Sequence, residues 1–179
     1  SERVVEAMNR LTLPRYGLAN YLREHPAQTP TEQEKAIVRN LSRAGRRLMG
    51  FNRTNLFKRL ESSGYAFLLS VSRHILRNAL FSYAIDRGLP LPVGAQEANV
   101  ADALLNDEDG GVENNGAFVF STDAAQYEQQ AETLYQGLAA KTYSAEWIRS
   151  SLFKPELRRD LAADNQELFG ILALEQNWK

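Results

Sequence analysis

The chain has 179 residues, 44% hydrophobic and 24% charged, with a formal net charge of −1, so it is long enough to bury one core and too apolar to be disordered throughout. It has no cysteine and only two histidines, His25 and His74, which excludes disulfides, thiolate metal sites and cysteine nucleophiles and leaves metal binding to carboxylates. No apolar run reaches the roughly 18 residues of a membrane span, and the start SERVVEAMNR carries no secretory signature, so a cytoplasmic protein without a membrane partner is expected.

The pattern opens inside an amphipathic stretch, with Val4, Val5, Met8 and Leu11 at helical spacing and no initiating Met. It closes just as abruptly after LFGILALEQNWK. Both features predict a piece of a larger polypeptide. Apolar residues recur at three and four throughout and period-two alternation is nearly absent, so the expected fold is all-α, an irregular bundle of seven or eight helices.

A helix is predicted from Thr29, where Thr-Pro-Thr-Glu offers a hydroxyl cap, a proline at the first helical position and a glutamate at the third. Its apolar stripe is Ile37, Val38, Leu41, Ala44 and Leu48, and Gly50 is expected to stop it. A shorter helix follows over Asn55 to Glu61, carrying Leu56, Phe57 and Leu60 inward. A long helix then runs from Ser62 or Ser63 to Arg87; its apolar residues cover more than one face, which marks a central helix. Gly88, Pro90 and Pro92 end it in an extended connector, GLPLPVG.

A short helix is expected from Glu97 to Leu105, then a flexible acidic loop, NDEDGGVENNG, over residues 106–116. This loop divides the single domain 1–179 into a basic helical part, 1–105, and C-terminal helices, 117–179, that lead to the next domain of the parent. The C-terminal part is read as a helix from Thr122 to Lys141 with Tyr127, Ala131, Leu134, Tyr135 and Leu138 inward, a short helix holding Trp147 and Ile148, and a last helix from Pro155. That last helix runs through Leu157, Leu161, Leu168, Ile171, Leu172 and Leu174, with Ala163 to Gln166 as a place for a break.

Charge is sharply divided. Residues 39–87 hold ten Arg and Lys against two acids, a local net of +8, whereas residues 97–132 hold nine acids and no base, a local net of −9. Such halves attract each other or meet separate charged partners. Arg39, Arg43, Arg46 and Arg47 form a ridge at helical spacing, followed by Arg53, Lys58 and Arg59, and arginine's planar fork suits bidentate contact with phosphate. An acidic loop that covers this basic face when DNA is absent is a further expectation.

No phosphate loop, dinucleotide fingerprint, HExxH or GxSxG motif is present. The Asp107, Glu108, Asp109 cluster lacks the alternate-position spacing of an EF-hand and reads as a solvated loop. His74 reads as a surface or core-edge histidine, and Tyr65, Phe67, Phe81 and Tyr83 as core rather than base-stacking platforms. An autonomous active site is therefore not expected.

The run GFNRTNLFKRLESSGYAFLLSVSRHILRN, residues 50–78, resembles a segment of large bacterial superfamily-two helicases of the Swi/Snf-like type. There a KRLESS-like phrase, an aromatic and a helix lie between the two RecA-like motor lobes. The later phrase WIRSSLFKPELRRDLAADNQELFGIL, residues 147–172, resembles the part that leads into the second lobe. The resemblance implies a non-catalytic helical insertion or linker domain of an ATP-dependent helicase or translocase, with ATP and Mg held by the parent's lobes and no cofactor in this fragment. It implies DNA and the neighbouring lobes as partners.

The contact residues expected for either partner are Arg43, Arg46, Arg47, Arg53, Lys58, Arg59, Glu61, Arg73 and Arg77, acting through phosphate contacts or through Arg59 and Glu61 pairing across a lobe interface. The alternative is a protein-interaction module that recruits a partner subunit of a bacterial DNA-processing or defence complex.

Overall fold

The computed structural model describes residues 2–62, 64–93, 121–140 and 146–175. Its elements are α1 (Glu2–Arg10), α2 (Glu32–Ser62), α3 (Gly64–Asp86), β1 (Leu91–Val93), α4 (Ala124–Ala140), β2 (Glu146–Ile148) and α5 (Glu156–Glu175). Three short 3-10 turns sit at Pro14–Tyr16, Leu18–Tyr21 and Ser150–Leu152. The helix expected at 97–105 and the acidic loop at 106–116 lie outside the described residues.

The fold is mostly helical, as the periodicity predicts, but it departs from the expected seven or eight helices. Among the described residues there are five α-helices and a two-stranded antiparallel ribbon. Two described segments account for part of the difference, the helix expected at 97–105 lying outside the described residues. The helices expected on either side of Gly50 are one, because α2 runs unbroken from Glu32 to Ser62. A glycine inside a helix costs about 1 kcal/mol, whereas a break would leave up to eight backbone groups in need of partners. The Trp147 segment is β2, not a helix, and pairs Leu91 with Ile148, Pro92 with Trp147 and Val93 with Glu146. Three residues are too few to reveal their own period, and the proline-bearing connector supplies an extended edge for them to join.

α3 is the central helix. It buries Phe67, Val71, Ile75, Leu76, Leu80, Phe81 and Ala84 and packs against α2, α4, α5 and β1. Tyr65, expected in the core, is instead 62% exposed, while Phe67 in the same first turn of α3 is fully buried, so the two residues lie on opposite faces of the helix start. The end of α3 is a Schellman motif: Gly88 stands at φ +64, its N–H donates to Ile85 at 3.2 Å, and the Leu89 N–H donates to Ala84 at 2.8 Å.

α4 buries Tyr127, Ala131, Leu134, Tyr135 and Leu138, the five positions that its spacing marks as inward. The Tyr135 hydroxyl donates to the Pro90 carbonyl at 2.7 Å and its ring meets Trp147 edge-on at 5.6 Å, so α4 fastens the ribbon. α5 buries Leu157, Leu161, Leu168, Ile171 and Leu172, while Leu174 lies at the surface. It has no break at 163–166. The buried Asp164 there turns its carboxylate away from its own helix: it accepts from the backbone N–H of Thr12 and of Leu13, each at 2.8 Å, and from the Thr12 hydroxyl at 3.0 Å.

α2 begins two residues later than predicted, with Thr31 as its cap. The Glu34 N–H donates to the Thr31 hydroxyl at 3.1 Å and the Thr31 N–H donates to the Glu34 carboxylate at 2.9 Å, a reciprocal capping box. The same carboxylate receives the Arg149 guanidinium at 2.7 Å and the Arg149 N–H at 3.1 Å. Hydrogen bonding to Arg149 holds the Glu34 carboxyl at about 2, well below its ordinary 4.5.

Two glycines of α2 behave oppositely. A Cβ on Gly45 would stand 2.7 Å from the Tyr16 carbonyl oxygen, whereas one on Gly50 would meet nothing within 4 Å. Gly45→Ala is expected to cost about 1–3 kcal/mol through this backbone clash, and Gly50→Ala to stabilise by about 0.5–1 kcal/mol, both read from urea midpoints.

A depressed carboxyl stabilises the folded chain above its unfolded value and loses that contribution as pH falls through its folded value. Stability should therefore decline between pH 4.5 and about 2. In Glu34→Gln that part of the decline should be absent, so urea midpoints of the two proteins should converge as pH falls through this window.

Candidate nucleic-acid interface

The 31 residues of α2 present two unlike faces. Ile37 and Leu56 are buried, and Val38, Leu41, Phe57 and Leu60 pack against the same core. Arg39, Arg43, Arg46 and Arg47 are all exposed on the opposite side, where spacings of three and four align them along about two turns. Lys58 and Glu61 are exposed farther along. Among the described residues none of Arg39, Arg43, Arg46, Arg47 or Lys58 forms an ion pair; pairing occurs elsewhere, at Arg10–Glu167, Lys35–Glu32, Arg149–Glu34, Arg158–Asp86 and Arg159–Asp160. Asp86, one of only two acids in the basic window, is thus taken by Arg158 at 2.9 Å.

Four of the expected contact residues lie away from this ridge. Arg53 is a structural residue: its guanidinium donates to the carbonyls of Met8 at 3.2 Å, Asn9 at 3.3 Å and Leu11 at 2.8 Å. It thereby satisfies the last carbonyls of α1, a role suited to a cation at the negative end of a helix. Arg73 and Arg77 project from α3 toward α2, and Arg77 is buried. Arg59 is exposed but stands on the side of α2 that faces α3, where it lines a cavity together with Arg73 and Arg77. The expected contact set therefore separates into an exposed ridge (Arg43, Arg46, Arg47, with Lys58), a recessed arginine cluster (Arg59, Arg73, Arg77), and one structural residue, Arg53. Glu61 is exposed on the last turn of α2.

His74, expected at the surface or the core edge, is buried at 6% exposure. Arg15 reaches it from the Pro14–Tyr16 turn, with Nη2 3.3 Å from His74 Nδ1, and donates through Nε to Asn78 Oδ1 at 2.9 Å. A guanidinium can only donate, so Nδ1 is the acceptor and the imidazole proton resides on Nε2. Burial, reinforced by Arg15, Arg77 and Arg59, holds the imidazole well below its ordinary value, so His74 is neutral and adds no further positive charge to the cluster. Asn78 passes the network on to Asn165 at 2.9 Å, which donates to the Ile75 carbonyl at 3.3 Å.

Asn52, Asn55 and His74 line the recessed cavity and are absent from the expected contact set. The signal for the two asparagines is present in the sequence: positions 52, 55 and 59 are polar at helical spacing beside Leu56, a polar stripe along a face that is otherwise turned inward. Among the described residues no group of three or more acidic, histidine or cysteine side chains could hold a metal ion, and no helix is long and apolar enough to cross a membrane. No family model matches the chain, and no curated protein or solved structure is significantly similar to it.

Chemical denaturation separates the structural arginine from the ridge. Arg53→Ala should lower stability by about 1.5–3 kcal/mol, the usual scale for lost hydrogen bonds from a charged donor. Arg46→Ala and Arg47→Ala should each change it by less than about 0.5 kcal/mol.

Proposed function

We propose that this chain is a non-catalytic helical domain of an ATP-dependent DNA helicase or translocase, lying between two RecA-like lobes, and that the exposed ridge of α2 contacts the DNA backbone. The observation that supports this reading is the alignment of Arg39, Arg43, Arg46 and Arg47 on one exposed face with no carboxylate partner among the described residues. A solvated helix face ordinarily mixes signs, and an unmixed one favours a polyanion. Such contacts are indifferent to base sequence, which suits a domain riding on a moving motor. In this reading ATP and Mg belong to the flanking lobes; the chain here has no phosphate loop, and its own part is to hold the duplex or to relay closure of the lobes.

A second reading rests on Tyr65. A tyrosine that is 62% exposed in the first turn of α3, with Lys58 and Glu61 exposed near the end of α2, fits a docking point for a motor lobe or a partner subunit, since tyrosine is enriched at protein interfaces. On this view Arg59 and Glu61 pair across an interface that forms when ATP closes the motor.

Fluorescence anisotropy with duplex and single-stranded DNA at two salt concentrations tests the first reading. Binding with a Kd on the order of micromolar at low salt, weakening steeply as salt rises, is expected. In the double variant Arg46→Ala, Arg47→Ala the slope of log K against log salt should flatten by about two, close to one for each phosphate left without its arginine. Absence of DNA binding at low salt would overturn the DNA reading and leave the Tyr65 surface as the one to pursue.

A further inference from the structure

An apolar groove lies beside the first turns of α2, at the end of the ridge where Arg39 stands. Its volume is about 410 Å³, within the range of sites that enclose small ligands. Leu22, Pro26 and Pro30 from the segment before α2, Val38 from α2 and Leu152 from the Ser150–Leu152 turn form its walls. Arg23, Lys35 and Arg39 stand around it with one acid, Glu24, and all four are exposed. An apolar floor thus carries a mainly cationic rim.

The groove is a product of how the chain arrives at α2. The Arg23 N–H donates to the Leu152 carbonyl at 2.9 Å and the Lys154 N–H to that of Tyr21 at 2.7 Å, which clamps Leu22 in an antiparallel bridge opposite Phe153. Proline fixes its own φ, so Pro26 and Pro30 stiffen the path from this bridge to the cap at Thr31. The walls are therefore set before a ligand arrives, which lowers the ordering cost of binding. Lys35 meets Glu32 at 3.2 Å, an exposed pair of the kind worth little, and even with Glu32 counted the cations around the groove outnumber the acids.

We infer that this groove docks an acidic peptide segment of a partner protein, with a leucine- or phenylalanine-sized side chain between Pro26, Pro30, Val38 and Leu152 and its flanking carboxylates against Arg23, Lys35 and Arg39. The two halves of the groove ask for those two features in one ligand. Burial of the anchor supplies affinity, and the carboxylates supply orientation and faster encounter. A nucleic-acid strand matches the rim but not the floor, because none of the described lining residues is aromatic and a base therefore finds no ring to stack on. Arg39 belongs to both the rim and the ridge, so a docked segment competes with DNA for it. The inference goes beyond the DNA reading and does not depend on it.

The test is fluorescence anisotropy with a labelled peptide of Asp, Glu and Ser that carries one central leucine, beside the same peptide with serine in place of that leucine. Saturable binding of the leucine peptide is expected, with the serine peptide weaker by about tenfold or more. Arg23→Glu, at an exposed position off the ridge, should weaken the leucine peptide about three- to tenfold. Val38→Ser, on the half-buried wall, should remove most of the preference for leucine over serine. Arg23→Glu and the peptide pair keep the test decisive if Val38→Ser disturbs the fold.

No binding, equal affinity for the two peptides, or binding unchanged in both variants would overturn the inference. Two other occupants would overturn it as well. Self-association in sedimentation velocity that Val38→Ser disperses would assign the groove to a second copy of the chain; a single-stranded oligonucleotide that loses affinity in Val38→Ser while the peptide does not would assign it to a base. Peptide binding without DNA binding would leave the docking site standing and remove the ridge reading, and DNA binding without peptide binding would do the reverse.

Discussion

A carboxylate from the last helix fixes how the chain begins. Asp164 accepts two backbone N–H groups and a hydroxyl from Thr12 and Leu13, and Leu13 stands in the left-handed region at φ 50, a conformation that costs a leucine about 1–2 kcal/mol. That bend sets the next turn, Pro14–Tyr16, against α2 and α5. It delivers Arg15 into the interior against His74 and Asn78, with its guanidinium 5.2 Å from the Tyr16 ring centre and 6.0 Å from that of Phe81. It also brings the Tyr16 carbonyl against α2 so closely that only glycine fits at position 45. Burial pushes the Asp164 carboxyl upward, against the hydrogen bonds that favour its charged form, so this interaction works because the lone pairs it turns inward meet donors.

Much of this architecture is legible in the sequence, and the parts that are not share one physical reason. The inward face of α4, the central position of α3 and its glycine stop all follow from local spacing and cap chemistry, which lie within a few residues of each other. The merging of two expected helices at Gly50 does not, because whether a glycine ends a helix depends on what waits to satisfy the exposed backbone groups. β2 is invisible to periodicity because its partner, β1, is more than fifty residues away and three residues carry no period of their own. Asp164 reads as a weak point in a helix from local sequence alone, since its donors come from positions 12 and 13.

The candidate site shows the same division. Charge counting finds the ridge of Arg43, Arg46 and Arg47 without help from the fold. It cannot tell that Arg53 serves the carbonyls of α1, or that Arg59, Arg73 and Arg77 leave the ridge for a recess. Sequence charge is a sum over all arginines, whereas the work each one does depends on where folding aims its fork. The neutrality of His74 is likewise a product of packing, because burial and the neighbouring cations decide it.

Among the described residues, long-range ties join the segment from Arg10 to Glu34 to the segment from Arg149 to Glu167. Arg10 meets Glu167, Thr12 meets Asp164, the Arg23 N–H donates to Leu152, the Lys154 N–H donates to Tyr21, and Glu34 holds Arg149. Helical bundles usually fold quickly because their contacts are local, but here the N-terminal segments find these partners only near the other end of the chain. α1 packs chiefly against α5, so its Val4 and Met8, buried in the finished fold, are covered only once α5 is in place, and until then that face is open to chaperones and proteases.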